Sequence, residues 1–466
     1  MVQAEILPSR SSLLAKHKRA IAWTSAIGVS TILVLLPAIW NGFPFMFYDS
    51  GAFIDLAIGG GFRPERSAFY GLFLSAFHPQ YSLWPAAIAQ VIICILVMAE
   101  FARIVLPGLS PTRFFLVVLA LSVGTGLPWY AAQILPDIWA PLMVISFYLL
   151  GFHGHELSRP RQIVLMAVAI LAITSHSSHL ALAGGLVIVI AASRLIARRW
   201  GRISPAPRWR LPALVLAISL ASLVVSNFAR TGDVFVSRAG PAFVLARLMQ
   251  DGIVQRLLHD TCPASGYDLC PYKDKLPNDA NDYLWRYDSP FWKFGGFEGT
   301  AEEAREIIGE SLKRYPWMNV ETAVDNTLRQ LVEIETGDGI EPLNDVPVPD
   351  IERWMPDQLP AYYAARQQRS RSIDFRWINA VQVPLGALSL ASLVAILAYA
   401  LRKRLWNDRL FLPAFLLIAL LGNAFICGAL SNPHDRYQSR LMWPASFAAI
   451  LLVAGLVRCP PKAERY

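Results

Sequence analysis

Ten runs of apolar residues alternate with short polar turns along the chain: 20–40, 84–106, 113–127, 137–152, 162–174, 176–197, 211–228, 379–401, 409–430 and 441–458. A helix that crosses a bilayer needs about 20 consecutive, mostly apolar residues. The pattern therefore predicts an all-α polytopic membrane protein with about ten transmembrane helices. The runs at 113–127 and 162–174 are short, and predict helices that extend into their flanks or tilt little. A long polar stretch, 229–377, separates the seventh run from the eighth. It divides the chain into an N-terminal bundle of about seven helices (1–228), an extracytoplasmic domain (229–377) and about three C-terminal helices (378–466).

The domain is predicted to be mostly helical. Pro241 opens a run with Val244, Leu245, Leu248 and Leu257 at helical spacing. Thr300 and Glu303 form the pattern of a capping box ahead of Ile307, Ile308 and Leu312. A further helix is expected from Val320 to about Glu335, ending at Gly337, before proline turns at Pro347, Pro349, Pro356 and Pro360.

Composition supports the membrane reading. Hydrophobic residues make up 55% of the 466, and charged residues only 16%, against roughly 25% in soluble proteins. Arg10, Lys16, Lys18 and Arg19 precede the first run, which is longer than a signal-peptide core and has no small-residue cleavage site after it. It reads as a retained helix.

The net charge of +8 is a topology signal, not a nucleic-acid surface. Of the 34 acids, 24 lie in 229–377 beside 17 bases, a local balance of −7. With the N-terminus cytoplasmic, the inside segments carry 21 Lys and Arg, among them Arg194, Arg198, Arg199, Arg202, Arg208 and Arg210 in one loop and Arg402, Lys403, Arg404 and Arg409 in another. The short outside loops carry four: Arg63, Arg66, Arg436 and Arg440. Both termini are thus expected inside.

Cys94 and Cys427 lie within apolar runs, where Cys behaves as a small hydrophobe, and Cys459 lies near the C-terminus. Cys262 and Cys270 flank a polar turn, and form a disulfide if that turn faces an oxidising compartment.

The candidate chemistry collects in the outside loops. Asp49 sits among aromatics (Phe45, Phe47, Tyr48, Phe53) just past the first helix. A partly desolvated carboxylate there suits a general base facing an acceptor hydroxyl. The plainer alternative is a cap for the next helix, with Ser50 and Gly51 in the turn. Asp55 is a surface residue or a second site acid. Asp137, after Pro136, either shares a site with Asp49 or is an ordinary helix-start acid.

The segment 431–440 holds His434, Asp435, Arg436, Tyr437 and Arg440. Its arginines either grip a phosphate through their planar forks or anchor the helix at the interface, with Arg436 against Asp435 or a headgroup. His176 and His179 share a helix face as candidate metal ligands, or hydrogen-bond locally in a wet interface. Arg63, Glu65 and Arg66 contact a charged substrate or solvate the first loop. Glu100 and Arg103 are expected to pair near an inner helix end. Gly59-Gly60-Gly61 is a flexible turn without the Lys of a phosphate loop.

This order of motifs resembles the GT-C superfamily of membrane glycosyltransferases. The resemblance rests on Tyr48-Asp49-Ser50-Gly51 in the first outer loop, Pro136-Asp137 at the start of a later helix, and Arg436-Tyr437 ahead of Pro444. It covers roughly the first 230 and the last 90 residues. It implies a polyprenyl-phosphate sugar donor that enters from the bilayer of a bacterial inner membrane. Asp49 would be the base or acceptor-positioning acid, with Asp137 in support. Arg436 and Arg440 would hold the donor phosphate. Tyr48, Asp55, Arg63, Arg66, His176, His179, His434 and Tyr437 complete the candidate substrate-binding set. The domain would hold a glycan, lipid or protein acceptor. The first-loop motif has no paired acids, which leaves a divalent-metal cofactor open, and His434-Asp435 stands where related enzymes often have Glu. The rival readings are a transporter or flippase, which would place charges near the bilayer midplane, and a non-catalytic assembly protein whose rim acids are caps.

Overall fold

The computed structural model describes residues 10–200, 206–369 and 373–458; Arg202 and Cys459 lie outside them. Among the described residues, seven helices are long and apolar enough to cross a membrane: His17–Asn41, Trp84–Val105, Ser177–Arg199, Arg210–Thr231, Phe375–Arg402, Asp408–Ala429 and Asp435–Val457. In lipid, backbone polar groups must be satisfied within the segment, so uninterrupted aliphatic runs form helices despite Pro37, Pro384 and Pro413 inside three of them.

Three shorter helices, Pro111–Gly124, Pro136–Phe152 and Arg159–Ser175, occupy the remaining apolar runs. Pro136–Phe152 is enclosed by its neighbours. Every residue from Trp139 to Gly151 is buried, so this helix is covered by protein on all sides. Its sequence is correspondingly apolar all round. Glu100 and Arg103 pair as expected, with the Arg103 Nε 3.0 Å from the carboxylate.

The inserted segment contributes two structures. Residues 239–318 wind short helices around a core of their own that includes Leu245, Leu248, Ile253, Leu257, Phe291 and Ile307. The first predicted helix is broken. Gly240–Gln250 ends before Gly252, whose φ of +75° suits glycine, so Leu257 belongs to a second helix, Ile253–Thr261. Cys262 and Cys270 are bridged by a disulfide.

The capping box does not form. The Thr300 hydroxyl turns back to donate to Gly296 O, and the Glu303 carboxylate accepts from the amides of Asp268 and Leu269 beside the disulfide. The Thr300 amide, which Glu303 would bind in a capping box, already donates to Gly296 O.

The second structure begins with the Pro316–Val332 helix, which packs on Asp408–Ala429. The chain then turns at Gly337 (φ +112°), where a methyl group would strike the Phe375 ring at 2.3 Å. From there it crosses the end of the bundle as a strap, and Ile340, Leu343, Ile351, Met355 and Tyr362 join the core of the bundle itself.

Candidate functional site

The site lies at the bundle end beneath this strap. Two extended pieces are stitched there: Phe45 N donates to Ala132 O at 3.2 Å, and Ile134 N to Phe45 O at 2.8 Å. The Ser50 hydroxyl donates to Ile134 O. From below, the Gln90 amide donates to Ala131 O and Gln133 O. From above, Gln367 both accepts from Met46 N and donates to Met46 O. Asp49 and Asp137, far apart in sequence, are thus carried on one braced platform.

Asp49 stands immediately before the Ser50–Ile58 helix, at its N-cap, yet its side chain makes no capping hydrogen bond. Its Oδ1 pairs with Arg66 Nη2. The capping alternative is corrected for a physical reason: a full guanidinium charge outcompetes a backbone amide. Arg66 also lies over the Trp285 ring, and its Nε has no hydrogen-bond partner.

Asp137 is 2% exposed and Arg440 is fully buried. They form an ion pair of 2.5 Å. Asp137 Oδ2 and Arg440 Nε have no partner, and Arg440 Nη2 sits 3.5 Å from the Ser178 hydroxyl.

Arg436 is 7% exposed and differs from the other two arginines. Among the described residues it is in no ion pair. Its guanidinium stacks 3.9 Å from the Phe47 ring and 4.9 Å from the Tyr437 ring. Its Nη2 is 3.4 Å from the Tyr437 hydroxyl, and Nη1 is buried without a partner. Asp435 does not meet it as the anchor alternative expected, because Asp435 accepts from Glu335 N instead.

These groups share one electrostatic neighbourhood. The charges of Asp137 and Asp49 both act on Arg436, and those of Arg440, Arg436 and Arg66 all act on the His176 ring. The histidines stack 5.1 Å apart. His176 Nδ1 is engaged by Ser178, and His179 Nδ1 by Ala172 O, with His179 Nε2 buried and unpartnered. Among the described residues no group of three or more His, Cys, Asp and Glu is placed to hold a metal ion.

Other predicted residues stand aside. Asp55 is held by Arg63 at 2.9 Å and by the Trp354 indole at 3.0 Å, and Arg63 reaches Asp350 at 3.6 Å. This is a clamp between the first loop and the strap. Burial pushes the Asp350 carboxyl above its ordinary range. Tyr48 donates to Glu341 at 2.7 Å. Burial and that carboxylate push its phenol up to about 12.

His434 lines a cavity of about 550 Å³ together with Asp279, Asn281, Glu333, Glu335, Asp338 and Asp435 among others. It accepts from Asn432 at 2.8 Å, and burial holds its imidazole below the ordinary range. Asp338 joins the two regions: it lies 3.7 Å from His434 Nδ1 and accepts from Arg436 N.

Sequence reasoning missed several contributors. Tyr130 meets the Ser439 hydroxyl beside the cluster, and Ser178 reaches Arg440. Trp285 arrives from the separate 239–318 core with no motif to mark it. Tyr130 was detectable as a hydroxyl in an otherwise apolar turn. No protein-family model matches this chain, and neither a curated protein nor a solved structure matches it.

Proposed function

We propose that this protein is a membrane glycosyltransferase that moves a sugar from a polyprenyl-phosphate donor to an acceptor at the outer face of a bacterial inner membrane. In this reading the three shorter helices complete ten crossings, both termini are cytoplasmic, and the strap and the 239–318 unit lie outside. One observation carries the proposal: Arg436 is a buried guanidinium with no carboxylate partner and a free donor at Nη1. A buried charge without a counter-ion costs several kcal/mol, roughly. A phosphate supplies the missing charge, and the planar fork of Arg matches its oxygens.

The chemistry follows from the neighbours. The acceptor hydroxyl gives its proton to Asp49, whose Oδ1 is turned to Arg66 and whose Oδ2 is left for the acceptor. The acceptor oxygen bonds to the anomeric carbon as the bond from that carbon to the phosphate oxygen breaks. The phosphate leaves with the electron pair, stabilised by Arg436 and the adjoining Arg440. Asp137 holds Arg440 in place. The polar cavity beside His434 would admit the acceptor.

The test is donor turnover by the purified protein in lipid, offered a panel of polyprenyl-phosphate sugars with release of polyprenyl phosphate followed. Release by the wild type that is lost in a folded Asp49→Asn supports the reading and its base. Release unchanged in Asp49→Asn moves the base elsewhere. No binding of any polyprenyl phosphate refutes the donor assignment.

A further inference from the structure

The Pro316–Val332 helix is built inside out for a segment in water. Its buried face is polar: Asn319, Asn326, Thr327 and Gln330 are all buried. These groups are satisfied within the protein. Asn319 donates to Ser311 O and Tyr315 O, Asn326 to the Asp251 carboxylate, and Gln330 exchanges two hydrogen bonds with the backbone of His434. Its outward face is apolar. Trp317, Val320, Val324, Leu328 and Val332 recur at helical spacing and are 81, 53, 50, 55 and 72% exposed.

A surface helix of a soluble domain does the reverse, burying its apolar stripe and offering polar groups to water. Polar in and apolar out is the arrangement that lipid demands. The stripe also continues a lipid-type surface. The helix lies on Asp408–Ala429, so closely that a methyl at Gly428 would meet Asn326 O at 2.4 Å. That span turns Ile418, Leu421 and Phe425 outward, 44, 51 and 48% exposed. Exposed Glu321, Asp325 and Arg329 lie along one flank of the stripe, as in helices that rest with a polar edge among headgroups. Trp317, near one end, is the residue type enriched at such an interface.

We infer that Pro316–Val332 is a membrane-embedded helix whose stripe from Trp317 to Val332 sits in the acyl chains of the bilayer, continuous with the lipid-facing side of Asp408–Ala429. The inference is independent of the transferase reading.

A site-directed fluorescence experiment tests it on the full chain in phosphatidylcholine–phosphatidylglycerol vesicles. Cys459 is replaced by Ser, and the buried Cys94 and Cys427 remain, the unsubstituted parent giving the labelling background. Single cysteines at Val324 and Leu328 carry an environment-sensitive dye. Phe425→Cys is the lipid reference, and Tyr287→Cys, at a residue 92% exposed on the 239–318 unit, the water reference. Dye at Val324 and Leu328 should emit with the blue shift seen at Phe425, be quenched by doxyl-labelled lipid, and be shielded from iodide. Emission and iodide quenching like those at Tyr287 would overturn the inference. So would a blue shift that is insensitive to doxyl lipid and disappears when the protein is diluted with more lipid, since that identifies a second copy as the cover.

Discussion

Replacing Arg436 with Met separates a guanidinium that waits for an anion from one that holds the fold together. Met keeps the length of the side chain and its contacts with Phe47 and Tyr437, and removes the charge. Two opposing terms set the stability change. The cation–π part of those contacts, at 3.9 and 4.9 Å, is lost, each worth about 0.5–2 kcal/mol. The cost of burying an unpaired cation is relieved, and that is of order several kcal/mol. The attraction of Asp137 and Asp49 for the guanidinium offsets part of that relief, and neither carboxylate loses a direct ion-pair partner. Arg436→Met should therefore unfold close to the wild-type temperature when both are ligand-free. The loss should appear in binding: a charge-assisted hydrogen bond is worth about 1.5–3 kcal/mol, or roughly 10- to 150-fold in affinity for polyprenyl phosphate. The assay is thermal unfolding in detergent across a titration of polyprenyl phosphate, where a ligand bound only to the folded state raises the midpoint. A ligand-free variant destabilised by several kcal/mol would refute the reasoning, because Arg436 would then be a structural strut. A ligand-induced shift equal to that of the wild type would refute the phosphate assignment.

Arg440→Met should behave oppositely, losing about 3–5 kcal/mol because it strands a buried Asp137, and the double variant with Asp137→Asn should recover most of that midpoint. Cys262→Ser with Cys270→Ser opens a loop of separation 8, which should cost the 239–318 unit about 2.5 kcal/mol; limited proteolysis that starts in that unit and leaves the spans intact would report it. His434, which faces Asp338, Arg436, Glu333 and Asp279, has its folded value depressed by burial. Its contribution to stability is complete above the ordinary imidazole range, near 6.5, and is lost as pH falls toward the lower folded value; unfolding midpoints from pH 7.5 down to about 5 should fall less steeply in His434→Gln.

The helical runs were legible because bilayer physics leaves an apolar stretch one regular conformation. Their role was less so. The 137–152 run looks like any other span by composition, but it is the buried axis of the bundle, and only the packing of its neighbours makes that visible. Asp49, Asp137, Arg436 and Arg440 were singled out from residue type and loop position. Their partners were not. The Asp137–Arg440 pair joins residues 303 apart, and local spacing carries no signal at that range. Asp55 reads from the sequence as a surface residue or a second site acid, and its use with Arg63 as a clamp on Trp354 depends on where the strap comes down. The Pro316–Val332 helix shows the limit most plainly: its period reveals two faces, but which face turns inward depends on the solvent around it.

The Asp137–Arg440 pair also bears on how the chain is made. Asp137 lies early in the chain and its carboxylate has one ionic partner, on the last span. Domains and segments assemble from the N-terminus as synthesis proceeds. Throughout elongation, until the final span is delivered, Asp137 has an unmatched charge at the mouth of the bundle. A chain stopped short of residue 436 has neither Arg440 to neutralise it nor Arg436. Closure of the bundle around Asp137 therefore waits for the Asp435–Val457 span, and a chain without that span is one that membrane quality control can distinguish by its unpaired acid.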